Sequence, residues 1–126
     1  MPASVSWYEL GSIIECTVSD PLTLEELECA AEEIWALAAA CRQPVDMIFD
    51  YRHVETFPRG GLPVVRDGHF TLPMLDRVAL VGNEPLVEMM ITTITRATFR
   101  PDPTIHADVE EAAQHLRLLA AQDGNR

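Results

Sequence analysis

The sequence predicts an α/β domain built on a mixed, mostly parallel β-sheet flanked by helices, in the order β-β-α-β-α-β-α-β-α. Three observations predict it. Two short apolar runs meet at Gly11-Ser12, a hairpin signal. The run Val78-Ala79-Leu80-Val81 contains no polar residue, as a strand covered on both faces requires. Strand-like runs also alternate with segments of helical period that open on capping signals, and such alternation implies crossover connections between parallel strands. With 126 residues there is room for a single domain, 1–126, around one core.

The hairpin comprises Trp7–Leu10 and Ile13–Val18, and Asp20-Pro21 breaks it. Thr23-x-x-Glu26 is a capping box that opens a helix reaching about Cys41. In that helix Leu27, Ala30, Ala31, Ile34, Trp35, Leu37, Ala38 and Cys41 fall within one arc of roughly 160°, and five glutamates fill the other side. Val45–Tyr51 reads as a strand presenting Val45, Met47, Phe49 and Tyr51 to one face. A short helix is expected near 61–68, with Pro63 in its first turn, and the wider stretch 57–75 is expected to be mobile relative to the core and to border the largest pocket. Arg77–Gly82 reads as a buried strand. Asn83-Glu84-Pro85 starts a helix to about Thr98. Thr104–Ala107 is extended, and Asp108-x-x-Glu111 caps a last helix to about Gln122 with Val109, Ala112, Ala113, Leu116, Leu119 and Ala120 in one stripe.

Charge excludes several classes of function. Nine basic residues against twenty acidic ones give a net charge of −11, which argues against a nucleic-acid partner and an anionic membrane surface. Every basic residue is arginine, so a lysine Schiff base and a lysine-bearing phosphate loop are excluded. The longest apolar run, Ile34–Cys41, is too short for a membrane span, and Met1-Pro2-Ala3 carries no secretory signal pattern; a cytoplasmic location is expected. Cys16, Cys29 and Cys41 are an odd set without C-x-x-C spacing and read as free thiols. The histidines at 53, 69, 106 and 115 lack the H-x-x-x-H spacing of a helical metal site, so neither a metal nor another cofactor is expected.

The hairpin around Gly11, the segment Phe49-Asp50-Tyr51-Arg52-His53-Val54, the strand Val78–Gly82 entering a helix, and the closing Ile105-His106-Ala107-Asp108-Val109-Glu110-Glu111-Ala112-Ala113 together resemble the STAS domain (sulfate transporter and anti-sigma-factor antagonist) and the small SpoIIAA-like bacterial proteins. The likeness covers nearly the whole chain. It implies a non-enzymatic regulatory or binding domain that works by protein contact or by holding a small apolar ligand. In the antagonists a Ser or Thr at the start of the helix after the third strand accepts phosphate. Here that neighbourhood reads Phe57-Pro58-Arg59-Gly60-Gly61-Leu62, with the nearest hydroxyl, Thr56, upstream, so such a switch is not expected.

The residues themselves nominate a ligand site. Asp50, Tyr51, Arg52, His53, Arg59, Arg66 and His69 fall on segments expected near the carboxyl ends of parallel strands, where α/β folds bind ligands. From a different class of function, Asp50, His53 and His69 could serve a small hydrolase or isomerase. In the helix at 85–98, Leu86, Val87, Met90, Ile91, Ile94 and Ala97 make the inward stripe, leaving Met89, Thr92, Thr93 and Arg96 outward. Few charges stand on that outer face, so it is the expected interface of a homodimer or with a protein partner.

Overall fold

The computed structural model describes residues 3–68, 74–82 and 103–122. Its strands are β1 (Ala3–Glu9), β2 (Ile13–Ser19), β3 (Val45–His53), β4 (Leu75–Val81) and β5 (Thr104–His106). Its helices are α1 (Leu24–Ala39), α2 (Gly61–Gly68) and α3 (Val109–Gln122). The five strands lie in chain order in one sheet; β1 and β2 are antiparallel, and each later neighbour is parallel. The mixed, mostly parallel sheet expected from the sequence is therefore present. The helix expected at 85–98, with Met89, Thr92, Thr93 and Arg96, lies outside the described residues.

The hairpin is longer than its apolar residues suggest. Ala3, Val5 and Trp7 pack toward the core while Ser4 and Ser6 point to solvent, a period-two alternation obscured in sequence by small side chains. Gly11 turns the chain at a φ of 76°, a conformation glycine adopts without steric penalty, and Leu10, expected as the end of the strand, instead sits 84% exposed in the turn.

Thr23 caps α1 as expected: its Oγ1 accepts from the Glu26 backbone N–H at 3.2 Å and donates to Glu26 Oε1 at 2.9 Å. Leu27, Ala30, Ile34 and Ala38 form the buried stripe. Trp35 does not join it and is 52% exposed, because it stands at the rim of the apolar arc, beyond the sheet's reach.

Alternation along the strands sorts the core into two faces. Ile14, Cys16, Val18, Val45, Met47, Phe49, Tyr51, Val78 and Leu80 meet α1 and α2 on one side. Ile13, Ile48, Ala79 and Val81 meet Ala112, Ala113 and Leu116 of α3 on the other. Successive right-handed crossovers stepping in one direction across a sheet put their helices on the same face, which accounts for α1 and α2 lying together. Residues 57–68 are not an open loop: Phe57 packs against the core and Val65 of α2 is 1% exposed.

One irregularity ties the centre together. Val45 pairs with Leu75 but Met47 pairs with Val78, so Asp76 and Arg77 together oppose Asp46. A bulge of this kind frees a backbone N–H from the ladder. The Arg77 N–H donates to Asp46 Oδ1 at 3.0 Å, and the Arg77 guanidinium lies 3.9 Å from Oδ2 while reaching the Leu119 carbonyl of α3 at 3.5 Å. Replacing Asp46 with Ala leaves both the N–H and a largely buried guanidinium without this carboxylate; the expected loss is about 3 kcal/mol or more, measured by urea unfolding, with Asp46→Asn losing less.

Tyr51 gives the opposite prediction. Its ring lies against Phe49 at 5.7 Å between centroids and against Gly82, where a Cβ would come within 2.8 Å of the ring. Its hydroxyl is buried with no hydrogen-bond partner among the described residues. Tyr51→Phe removes that unsatisfied group and is expected to raise stability by about 1 kcal/mol. Burial also raises the Tyr51 phenol above its ordinary 10.0, and burial, with help from Glu33, Glu15 and Asp50, raises the Cys16 thiol above 9.0. The unfolded chain releases these protons first, so their contribution is intact below about pH 9 and is lost as pH rises further, by up to about 1.4 kcal/mol per pH unit for each group. Urea midpoints measured across the alkaline range should fall with this sign, and more shallowly in Tyr51→Phe.

Candidate functional site

Strand register decides which side chains meet. On the α3 face, Ser4, Thr17, Asp50, Val81 and His106 form one row across all five strands. Ser6, Glu15, Ile48, Ala79 and Thr104 form the next. Both rows lie toward the carboxyl ends of the parallel strands, the edge at which open α/β sheets bind ligands. The apolar members sit under α3; on either side of them the rows are polar, from Ser4 to Asp50 at one end and at Thr104 and His106 at the other.

Of the residues nominated from sequence, Asp50 and Arg52 come together here. Asp50 is 3% exposed, and Arg52 folds back onto it: the Arg52 backbone N–H and Nε donate to Oδ1, each at 3.1 Å, and Nη2 donates to Oδ2 at 2.9 Å. This hydrogen-bonded fork, outweighing some loss of solvation, raises the guanidinium above its usual value, and Asp108 and Glu15 add to the effect. Both oxygens of Asp50 are thus already engaged, which suits a structural anchor better than a free base.

The other nominated residues are dispersed. Tyr51 points to the opposite face, inside the core. His53 is exposed at the end of β3, held there because its carbonyl accepts from the Asp20 N–H at 3.1 Å while Asp20 Oδ2 accepts from the Glu55 N–H at 2.8 Å. Arg59 is exposed in the turn before α2. The Arg66 side chain and His69 lie outside the described residues.

Residues the sequence reading passed over supply the tighter constellation. Thr104 Oγ1 lies 2.8 Å from His106 Nε2, and His106 Nδ1 lies 3.3 Å from Glu111 Oε1. Two elements build it. Thr104 and His106 share a face because they are two apart on β5. Asp108 then turns the chain, its Oδ1 accepting from the Glu111 N–H at 2.8 Å, and this cap starts α3 so that its first turn presents Glu111 to the imidazole. His106 is 8% exposed, and the His115 ring from the next turns of α3 stands 5.0 Å away. Sequence carried one signal for this group, the T-x-H spacing before a capped helix, but nothing in it gave the distance to Glu111.

A separate cleft of about 170 Å³ lies at the other edge of the sheet, lined by Glu9, Ser12, Gln43, Asp46, Leu116 and Arg117 among others. Its lining includes none of residues 57–68. Its charged groups are paired: Arg117 donates to Glu9 at 2.9 Å, and Asp46 holds Arg77. Among the described residues no three His, Cys, Asp or Glu side chains converge as a metal site, and no helix is long and apolar enough to cross a membrane.

No protein-family model matches the chain, and no curated protein is significantly similar to it.

Proposed function

We propose that the chain is a cytoplasmic, non-enzymatic STAS-like regulatory or binding domain, acting through contact with a protein or by holding a small apolar ligand. The observation that carries this reading is the sheet, in which an antiparallel hairpin is followed by parallel strands in unbroken chain order, with α1 and α2 in the crossovers. That arrangement supports the resemblance over the described part of the element order. The start of α2 supports action without a phosphoacceptor at that point, because its first residues are Gly61, Leu62 and Pro63.

Contact is assigned to a homodimer or a protein partner through Met89, Thr92, Thr93 and Arg96, since a protein of net charge −11 associates where its acids are sparse. Static light scattering on the purified protein is expected to give the mass of a dimer, and Met89→Glu with Thr92→Glu that of a monomer. Native mass spectrometry of the same preparation checks the other route, an apolar ligand retained from expression. A wild type that is monomeric at every concentration, carries no ligand and binds no candidate protein partner overturns the reading.

A further inference from the structure

We propose that Thr104 is a base-activated acceptor for acyl groups, with His106 as its general base and Glu111 as the residue that positions the base. The inference goes beyond the binding role above and uses none of its residues. A carboxylate can only accept hydrogen bonds, so the His106 nitrogen facing Glu111, Nδ1, carries the ring proton. In the neutral imidazole, the form that can act as a base, Nε2 is then the lone pair, and the 2.8 Å contact with Thr104 has the threonine hydroxyl donating. In that form the hydroxyl proton points at the atom that would remove it. Nucleophile, base and carboxylate in hydrogen-bonded sequence is the arrangement that activates weak hydroxyl nucleophiles.

Charge selects the donor. Glu15, Asp50 and Asp108 join Glu111 on or beside this face, and Arg52 is already engaged by Asp50. A polyanionic phosphoryl donor is repelled by such surroundings, whereas a neutral carboxylic ester is not. Thr104 is half-buried rather than enclosed, and its neighbour Ile105, 47% exposed, offers apolar surface at the strand edge. In the step proposed, Thr104 Oγ1 attacks the ester carbonyl carbon as His106 Nε2 takes the hydroxyl proton. A new Oγ1–C bond forms, the bond from the carbonyl carbon to the leaving oxygen breaks, and the departing alkoxide or phenolate carries away the electron pair. The imidazolium then returns its proton to the leaving group or to solvent.

The chain suits a direct test because it contains no lysine, the side chain that most often takes up acyl groups adventitiously. The purified protein is incubated with p-nitrophenyl acetate at neutral pH, nitrophenolate release is followed, and the acetyl group is located by peptide mass spectrometry. The expected result is one acetyl group on Thr104, absent in Thr104→Val. His106→Ala is expected to slow its formation about 100-fold or more, with partial recovery on adding imidazole, a rescue that a purely structural histidine would not show. Glu111→Gln should slow it less, and Glu111→Asp should restore part of the rate. Urea unfolding verifies that each variant is folded; if His106→Ala is not, wild type and Thr104→Val decide the matter. Acetylation confined to cysteines, the α-amino group or other hydroxyls overturns the proposal, as does a folded His106→Ala that acetylates Thr104 at the wild-type rate. This outcome is independent of the light-scattering result, so failure of either reading is recognisable by itself.

Discussion

The strand β3 is buried on both faces from Val45 to Tyr51, yet it carries two carboxylates, Asp46 and Asp50, in that buried stretch. Taking such charges out of water costs several kcal/mol apiece unless hydrogen bonds and an opposite charge compensate. Much of the surrounding structure answers that requirement. For Asp46 it is met by a neighbouring strand: the bulge in β4 turns the Arg77 N–H and guanidinium toward it, and the same guanidinium reaches α3 through the Leu119 carbonyl. For Asp50 it is met locally, by Arg52 two residues along the same strand. One pair therefore joins β3, β4 and α3, while the other ends the buried part of β3 at the point where the strand meets solvent.

The two faces of the sheet are then free to differ. On the α1–α2 side the residues are large and apolar, with Phe49, Tyr51, Ile14, Met47 and Leu80 fully enclosed. On the α3 side Ala112 and Ala113 allow the helix close to Ile48, Ala79 and Val81, and Arg117 anchors its far end at the hairpin through Glu9 and the face of Tyr8, 5.6 Å from the ring centre. Among the described residues, one helix crossing from β5 to the hairpin covers part of that face. What it leaves is polar, and so the described residues at the carboxyl edge of the sheet are serine, threonine, carboxylate and arginine.

The Thr104–His106–Glu111 group belongs to the same geometry. A three-residue strand contributes little pairing energy of its own, but its register against β4 places His106 beside Val81 and directs its ring to the α3 face. The chain then turns on Asp108, so the residues that position the imidazole and the residues that start the helix are the same few.

Local patterns in the sequence were enough for most of the described elements. The Thr23 cap, the buried run at Val78–Val81, the short helix near Pro63 and the stripe of α3 follow from propensity, capping and period, which act over a few residues and so can be read from a few residues. The extent of β1 was harder, because Ser4 and Ser6 alternate with side chains too small to mark a strand, and Trp35 was assigned to the core because an apolar arc is wider than the line along which a helix touches a sheet. The site was legible only where its partners are neighbours in sequence, as with Asp50 and Arg52. Tyr51 carries the polarity of a site residue yet faces the core, since adjacent residues on a strand point to opposite sides. The rows that bring Ser4, Thr17, Asp50 and His106 into line depend on which backbone N–H meets which carbonyl across four strand pairs, and a one-residue slip would exchange every member. Register and the bulge opposite Asp46 are settled by long-range pairing and by the need to compensate buried charge, and those were decided by the tertiary structure alone.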